Sequence, residues 1–393
     1  MKEIALEALS MEEEVRTLRR HFHRHPEESL KEFETAASVE RELRRLGLAP
    51  RRLGETAVVA DIVGDADGPV VALRADMDAL VLQEESEKDY ASCRPGLMHG
   101  CGHDAHTAML LGAAGILARR RSFAGTVRLL FQPGEEISAG ARLMVDGGAL
   151  EGVEALFGLH VWIDLPSGTF SVEAGPRMAS CDRLAIDIRG RGGHAGKPHQ
   201  TVDAVVAASA VVMNLQTVVS RETDPLKSLV LSLGTLRCGS LWNIIAGEGR
   251  IEGTVRAFDE ELQKGTRARV ERVAQSTASA FGAEAMVTYD ELCPVTANDA
   301  ELAEAASSVV AALFGADRIV SMAPVAVSED FAFYGGHVPA HFAFLGVGSD
   351  GAALWPHHHP RFDIDERALP CGVAYYAASA LAFLARNRGV KGH

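Results

Sequence analysis

Positive charge is in short supply. Lysine and arginine together number 39 against 53 aspartates and glutamates, a formal net charge of −14 at pH 7. Nucleic acid and anionic membranes both demand a basic face, so this balance argues against either as a partner. Cysteine is sparse as well: Cys93, Cys101, Cys181, Cys238, Cys293 and Cys371 are six residues scattered through a chain of 393. That is not the density of a disulfide framework. No stretch approaches the ~18 apolar residues of a membrane span. The N-terminus, MKEIALEALSMEEEVRTLRR, is acidic and amphipathic without an apolar signal core, so the cytoplasm is the expected compartment. Internal repeats, low-complexity tracts and GxGxxG turns are missing. What remains is an ordinary soluble composition, 47% hydrophobic and 23% charged, in a chain long enough for roughly two or three domains.

One stretch organises the rest. Residues 98–117 read MHGCGHDAHTAMLLGAAGIL, opening with Cys101, His103, Asp104 and His106. The stretch then turns into an apolar run at helical spacing. Gly100 and Gly102 permit an unusual backbone path, and Asp104 is placed to cap the helix and favour its positive end. A thiol, two imidazoles and a carboxylate at one helix start are a metal-ligand set that lacks partners. The bland alternative is a small buried thiol beside a capped imidazole. The spacing is not that of a zinc finger, since no second Cys/His pair follows at the required distance.

Before that stretch, residues 1–47 read as two helices around a break, with Leu9, Val15 and Leu18 on one face of the first. The break, HFHRHPEE (21–28), holds three histidines whose place near a helix C-terminus favours a dipole role over metal binding. From Thr56 the period changes. Residues 58–62 and 70–73 are strand-like, and the second run leads into Arg74-Ala75-Asp76-Met77-Asp78. A strand at 126–131 stops at Gln132-Pro133-Gly134-Glu135-Glu136. Another at 155–159 stops at His160. A late one at 342–346 precedes a loop with His357-His358-His359. Strands alternating with helices predict a largely parallel sheet covered on both faces. In such sheets ligands bind at the strands' carboxyl edge. Cys101, His103, Glu135, Glu136, His160 and one loop histidine all fall there, and their joint placement is harder to dismiss than any one of them.

Residues 183–294 read differently. The order of elements is βαββαβ, that of a ferredoxin-like split unit, inserted into the larger domain. The boundaries expected are 1–182 and 295–393 for the two parts of the larger domain. The helix at 201–220 shows an apolar face of Val205, Ala208, Val212 and Leu215. The first loop of the insert, Arg191-Gly192-Gly193-His194-Ala195-Gly196-Lys197, is glycine-rich and basic, a place where backbone or ligand approaches closely.

Taken in order, ALRADMDAL (72–80), MHGCGHDAHTAMLLGAA (98–114), FQPGEE (131–136), GLHVW (158–162), GGHAGKPHQTVDAV (192–205), SEDFAFY (328–334) and HHPRFDIDE (358–366) resemble the metal-dependent aminoacylase and carboxypeptidase superfamily. The branch is that of hippurate hydrolases, indoleacetyl-amino-acid hydrolases and N-acetyl-diaminopimelate deacetylases. The resemblance spans nearly the whole chain. It implies a two-metal peptidase-like α/β domain with an inserted ferredoxin-like lid and dimerisation domain, hence a homodimer. It carries metal binding onto Cys101, His103, Glu136, His160 and His358, the general base onto Glu135, and transition-state stabilisation onto His194. It leaves Asn243 and Arg256 as candidates for a substrate carboxylate. Asp76 and Asp104 are expected to orient imidazoles from the second shell. The metals implied are two divalent ions, manganese or zinc, with cobalt or nickel as alternatives that suit a thiolate.

Three features depart from the family's pattern. Arg74-Ala75-Asp76 stands where distant relatives have His-x-Asp, so a metal-binding histidine is missing from that strand. Trp242-Asn243-Ile244-Ile245-Ala246 lacks a proline common in relatives. The run of three histidines leaves His357 as an alternative to His358. The function expected is hydrolysis of N-acyl-L-amino acids by a metal-activated water. The alternatives are a specific N-acetyl-amino-acid deacetylase of diaminopimelate type, a small-dipeptide carboxypeptidase, a silent binding protein and a structural zinc protein. The mixed carboxylate set argues against the last of these.

Overall fold

The computed structural model describes residues 1–349 and 355–387. The chain forms two compact units, one of Met1–Gly175, Ala297–Ala323 and Asp330–His393, the other of Pro176–Thr296 and Pro324–Glu329. In chain order the first unit holds α1 (Lys2–Ser10), α2 (Glu12–Arg24), α3 (Phe33–Arg45), β1 (Arg51–Leu53), β2 (Ala57–Val63), β3 (Ala66–Asp76), α4 (His103–Arg119), β4 (Ala124–Gln132), α5 (Gly140–Asp146), β5 (Val153–Pro166) and β6 (Phe170–Ser171). After β7 (Gly175–Met178), the second unit holds β8 (Cys181–Arg189), β9 (Gly193–His194), α6 (Ala204–Ser220), β10 (Leu229–Cys238), β11 (Ile244–Ile245), β12 (Glu248–Ala257), α7 (Glu260–Ala280) and β13 (Glu284–Cys293). Past β14 (Thr296–Asn298), the first unit is completed by α8 (Ala300–Phe314), α9 (Ala332–Gly335), β15 (Ala340–Gly348) and α10 (Leu369–Arg386).

The first unit is built on one mixed sheet of order β1-β2-β4-β3-β5-β15-β6. Its centre is parallel, β4 with β3, β3 with β5 and β5 with β15, and its flanks are antiparallel. Register sets the edge: Asp76 at the end of β3 lies opposite Gln132 at the end of β4. The loops leaving these two strands therefore start side by side. The strand at 155–159 does not stop at His160 as the sequence suggests. β5 continues to Pro166, because Val161 and Ile163 supply further core residues and β15 pairs with it as far as Pro166.

The N-terminal helix is broken at Met11, so α1 turns Ile4 and Ala8 inward and leaves Leu9 exposed, contrary to the single face expected. α10 is buried nearly all round. Together with the turn before it, residues Glu366–Arg386, it is long and apolar enough to cross a membrane, which corrects the expectation that no stretch is; 72% of it is buried inside the fold, as in the core helix of a soluble protein. α4 packs on α10, on α2 and on β3.

The second unit has a sheet of order β10-β12-β8-β13, antiparallel throughout, with α6 and α7 packed together. The buried face of α6 is Ala204, Ala207, Ala208, Val211, Leu215 and Val218; Val205 is exposed and Val212 only partly buried, so the face is rotated from the one expected.

A buried ion network ties α2 to α4. Arg19 is fully buried. Its Nε donates to Asp104 Oδ2 (2.9 Å), and its Nη atoms donate to Asp363 (2.9 Å) and Glu366 (3.2 Å). Removing one partner of such a network strands a charge out of water, at about 3–5 kcal/mol. Arg19→Met is accordingly expected to lower the thermal midpoint by ~5 °C or more. A midpoint within a degree of wild type would contradict this.

Candidate metal centre

The backbone at the α4 start is dictated by glycine. Gly102 has φ +94°, and a Cβ there would lie 2.3 Å from Val161 Cγ2. The absence of that carbon lets the loop close on β5, so that Cys101 Sγ comes within 3.4 Å of His160 Nε2. His358 also takes a left-handed backbone, φ 64°, rare for a non-glycine residue. Its N–H donates to Gly100 O at 2.8 Å, and its Nε2 lies 3.6 Å from Glu136 Oε2. His357 has its Nε2 accepting from Ile163 N, its Nδ1 buried without a hydrogen bond, and its ring packed against His160, Trp162 and Phe362; it joins none of the donor clusters among the described residues.

Two clusters of donor atoms share Cys101. The ligand atoms of Cys101, His103 and His160 lie within 4.8 Å of one another, as do those of Cys101, Glu136 and His358. Glu135 joins a third cluster with His103 and Glu136, and His103 Nε2 is 4.0 Å from both glutamates. His103 is aimed by a residue that sequence reasoning did not assign. Its Nδ1 bonds Asp78 O (2.9 Å) and Oδ1 (3.2 Å), leaving Nε2 buried without a hydrogen bond. Asp78 Oδ2 also accepts from Glu136 N, at 3.0 Å. The signal was present in the sequence as a second acid two residues beyond Asp76.

Asp76 holds His106 instead, Nδ1 to Oδ1 at 2.6 Å, and His106 Nε2 accepts from Val161 N at 2.9 Å. Both ring nitrogens of His106 are thus engaged, and it pins β3, α4 and β5 together. Asp104 does not orient an imidazole of the cluster and does not cap α4, whose N-cap is Gly102. It points to α2, where Arg19 and His23 Nδ1 (2.7 Å) bind it; the buried guanidinium claims the carboxylate. Arg74 stays outside the cluster, fully buried between Asp76 and Asp330.

The electrostatics reflect the crowding. Burial drives the Cys101 thiol well above its ordinary value, and Glu136 and Glu135 push it further. Burial opposes a charge on His103, yet Asp76, Asp78 and Cys101 hold its pKa well above normal. Burial, with His106 and His357 nearby, keeps His160 well below normal, and burial lowers His358. His160 and His358 are therefore neutral donors.

His194, Asn243 and Arg256 belong to the second unit. His194 is exposed on β9, which pairs with β11, and its Nδ1 accepts from Gly196 N at 3.0 Å. Asn243 adjoins it, its carbonyl accepting from Ala195 N. Arg256 sits on β12 and donates to Ala326 O at 3.2 Å.

A family model for peptidase family M20/M25/M40 matches residues 72–382. The chain belongs to this family. It is 41% identical over 386 residues to an N-acetyl-L-cysteine deacetylase of Bacillus subtilis, covering 97% of this chain and 91% of that protein. It is 40% identical over 373 residues to IAA-amino acid hydrolase ILR1-like 4 of Arabidopsis thaliana, covering 93% and 85%. Among solved structures, a dinuclear metal-binding M20 peptidase of Bacillus subtilis superposes with a TM-score of 0.85 at 37% identity, over 96% of this chain and 99% of that one. A putative aminohydrolase of Staphylococcus aureus gives 0.93 at 32% identity, over 98% and 100%.

As an M20 hydrolase the chain calls for two divalent ions, and its donors fit them. A buried imidazole nitrogen without a hydrogen bond, a thiol whose ionisation is opposed by burial and two donor clusters sharing that thiol all suit a cation. The loop that carries the glutamates is braced from below by buried Glu32, whose Oε1 accepts from Gly134 N at 2.9 Å. Burial and the neighbouring Asp78 raise the Glu32 pKa from 4.5 to about 7. An acid raised on folding binds its proton more tightly in the folded state, so it costs nothing below the unfolded value and a growing amount as pH rises through the folded one. Glu32→Gln should match wild type near pH 4 and exceed it increasingly from pH 4.5 to above 7, by on the order of 3 kcal/mol. Urea midpoints of the two proteins across that range check this; parallel profiles would refute it.

Proposed function

We propose that this M20 hydrolase cleaves the amide bond of N-acyl-L-amino acids, with Glu135 as general base and with Cys101, His103, Glu136, His160 and His358 holding two divalent ions. The observation that carries the reading is Glu135 itself: a buried carboxylate beside the donor clusters, one oxygen pinned by Asp330 N at 3.2 Å and the other 4.0 Å from His103 Nε2. Held by these residues, two divalent ions would supply polarisation of the substrate carbonyl and a lowered pKa for an attacking water. Glu135 takes the proton of that water and returns it to the leaving amine. Glu136, adjacent in sequence, is committed to ligation, which separates the two carboxylates' environments and so their tasks. Asp78 fixes the tautomer and aim of His103.

His194 is the oxyanion donor in this reading. With Nδ1 accepting from Gly196 N, the ring's proton is at Nε2, free to donate. Asn243 and Arg256 take the substrate carboxylate. The second unit, read as a ferredoxin-like lid, also mediates a homodimer; the exposed Val205, Val206 and Met213 on α6 support this. The metals are manganese or zinc, with cobalt or nickel as alternatives. The cysteines form no disulfide among the described residues, which supports a reducing compartment, the cytoplasm. The narrower reading, a deacetylase of one N-acetyl amino acid, is favoured by two Bacillus subtilis relatives named as N-acetylcysteine deacetylases.

The test is amino-acid release from a panel of N-acetyl, N-benzoyl and N-indoleacetyl amino acids and dipeptides. The protein is stripped of metal and reloaded separately with manganese, zinc, cobalt or nickel. Release that depends on reloading is expected, and its absence with every metal and substrate would overturn the reading. Glu135→Gln should keep both metals and lose about 10²–10⁴-fold in turnover; wild-type turnover would remove Glu135 from the role of base. Asp78→Ala should weaken metal affinity by about 10–100-fold, measured by competition with a chelator, and unchanged affinity would contradict its assignment.

A further inference from the structure

Beneath the candidate centre lies a second, fully buried polar cluster that the reaction does not use directly. Arg74, Asp76, Gln132 and Asp330 are all at 0% exposure. The Asp330 carboxylate is held at both ends. Its Oδ1 accepts from Arg74 Nη2 (3.0 Å) and Gln132 Nε2 (2.7 Å), and its Oδ2 from Ala141 N (2.9 Å) at the start of α5. Ala141 lies in the first turn of α5, far away in sequence from Asp330. With its side chain so fixed, residue 330 cannot turn its backbone. That backbone N–H is the group that donates to Glu135 Oε1.

Arg74 connects this grip to the metal side. Its Nη1 donates to Asp76 Oδ2 at 2.7 Å and its Nε to Gln132 Oε1 at 2.8 Å. Asp76 holds His106, and His106 accepts from Val161 N, next to His160. A planar guanidinium can serve three acceptors in fixed directions, which an ammonium on a flexible stem cannot. A buried ionic cluster of this kind adds little stability over apolar residues of the same volume, so packing alone does not account for it.

We infer that Asp330 and Arg74 are a positioning pair that aims Glu135: Asp330 presents its own N–H to one carboxylate oxygen, and Arg74 locks Asp330 to the strand carrying Asp76. This rests on Glu135 being the base.

The experiment measures kcat, KM, metal content and thermal midpoint for Asp330→Asn and Arg74→Lys, with the N-acyl amino acid that wild type turns over fastest. Asp330→Asn keeps the size of the side chain and loses its charge. Arg74→Lys keeps the charge and loses the fork. The expected result is a fall in kcat of about 10- to 100-fold, the effect of a small misplacement, with KM within twofold and metal content unchanged. Wild-type kcat in a folded Asp330→Asn protein would overturn the inference, as would a loss of kcat that tracks lost metal. If neither variant folds, the cluster is structural and the inference is equally overturned. Glu135→Gln run alongside separates the failures: an active Glu135→Gln protein sinks the role of the base, whereas an inactive one beside a fully active Asp330→Asn protein sinks only the positioning pair.

Discussion

Buried negative charge at one edge of one sheet is the constraint on which the rest depends. Asp76, Asp78, Asp104, Glu135 and Asp330 are all buried near the carboxyl ends of β3, β4 and the start of α4. A carboxylate out of water must meet a positive charge or a full set of donors. The protein supplies two arginines for this purpose, and both are wholly buried. Arg19 answers Asp104, and Arg74 answers Asp76 and Asp330. Asp78 and the Cys101 thiol meet imidazoles instead, those of His103 and His160. The pKa of His103, held high against its own burial, shows how strongly this side of the cluster attracts positive charge. Two divalent ions would satisfy that demand. The arginines then belong to the frame and the metals to the working face.

That division explains the histidines. His160 and His358 are kept neutral by burial and by their neighbours, ready to donate lone pairs. At His103 the acidic neighbours, Asp76 first, hold the pKa above normal against burial, and Asp78 directs its remaining nitrogen at the cluster. His23 and His106 resemble ligands in sequence but are used up as struts: His23 pairs with Asp104, and His106 spans Asp76 and the backbone of β5. Strain is accepted where ligands must converge, at Gly102 and at His358, whose left-handed backbone brings the ring to Glu136.

Much of this was legible in the sequence. Apolar runs that stop at polar residues gave the strands of the parallel centre, and the resemblance supplied the order of the candidate ligands, which the structure gathers in one place. What escaped depended on partners distant in the chain. Asp78 could not be told from Asp76 by type or spacing; only the direction of the strand end decides which imidazole each meets. Asp104 looked like a cap because it stands in the first turn of α4, two residues past the N-cap Gly102, and nothing local showed that Arg19, 85 residues earlier, would claim it. His160 seemed to end a strand because a polar residue interrupted an apolar run, yet pairing with β15 carries the strand on. Asp330 stood in the sequence only as part of SEDFAFY, because its partners, Arg74, Gln132 and Ala141, are far from it along the chain.

The central proposal, that the donor clusters meeting at Cys101 would hold two divalent ions, is tested most directly by equilibrium metal stoichiometry of the stripped protein and its Cys101→Ala variant. Manganese and zinc would each be titrated, with bound metal counted by elemental analysis. The account predicts two equivalents for wild type, with both affinities weakened together in the variant because the two donor clusters share that atom. Two equivalents of undiminished affinity in Cys101→Ala, or fewer than one in wild type, would contradict it.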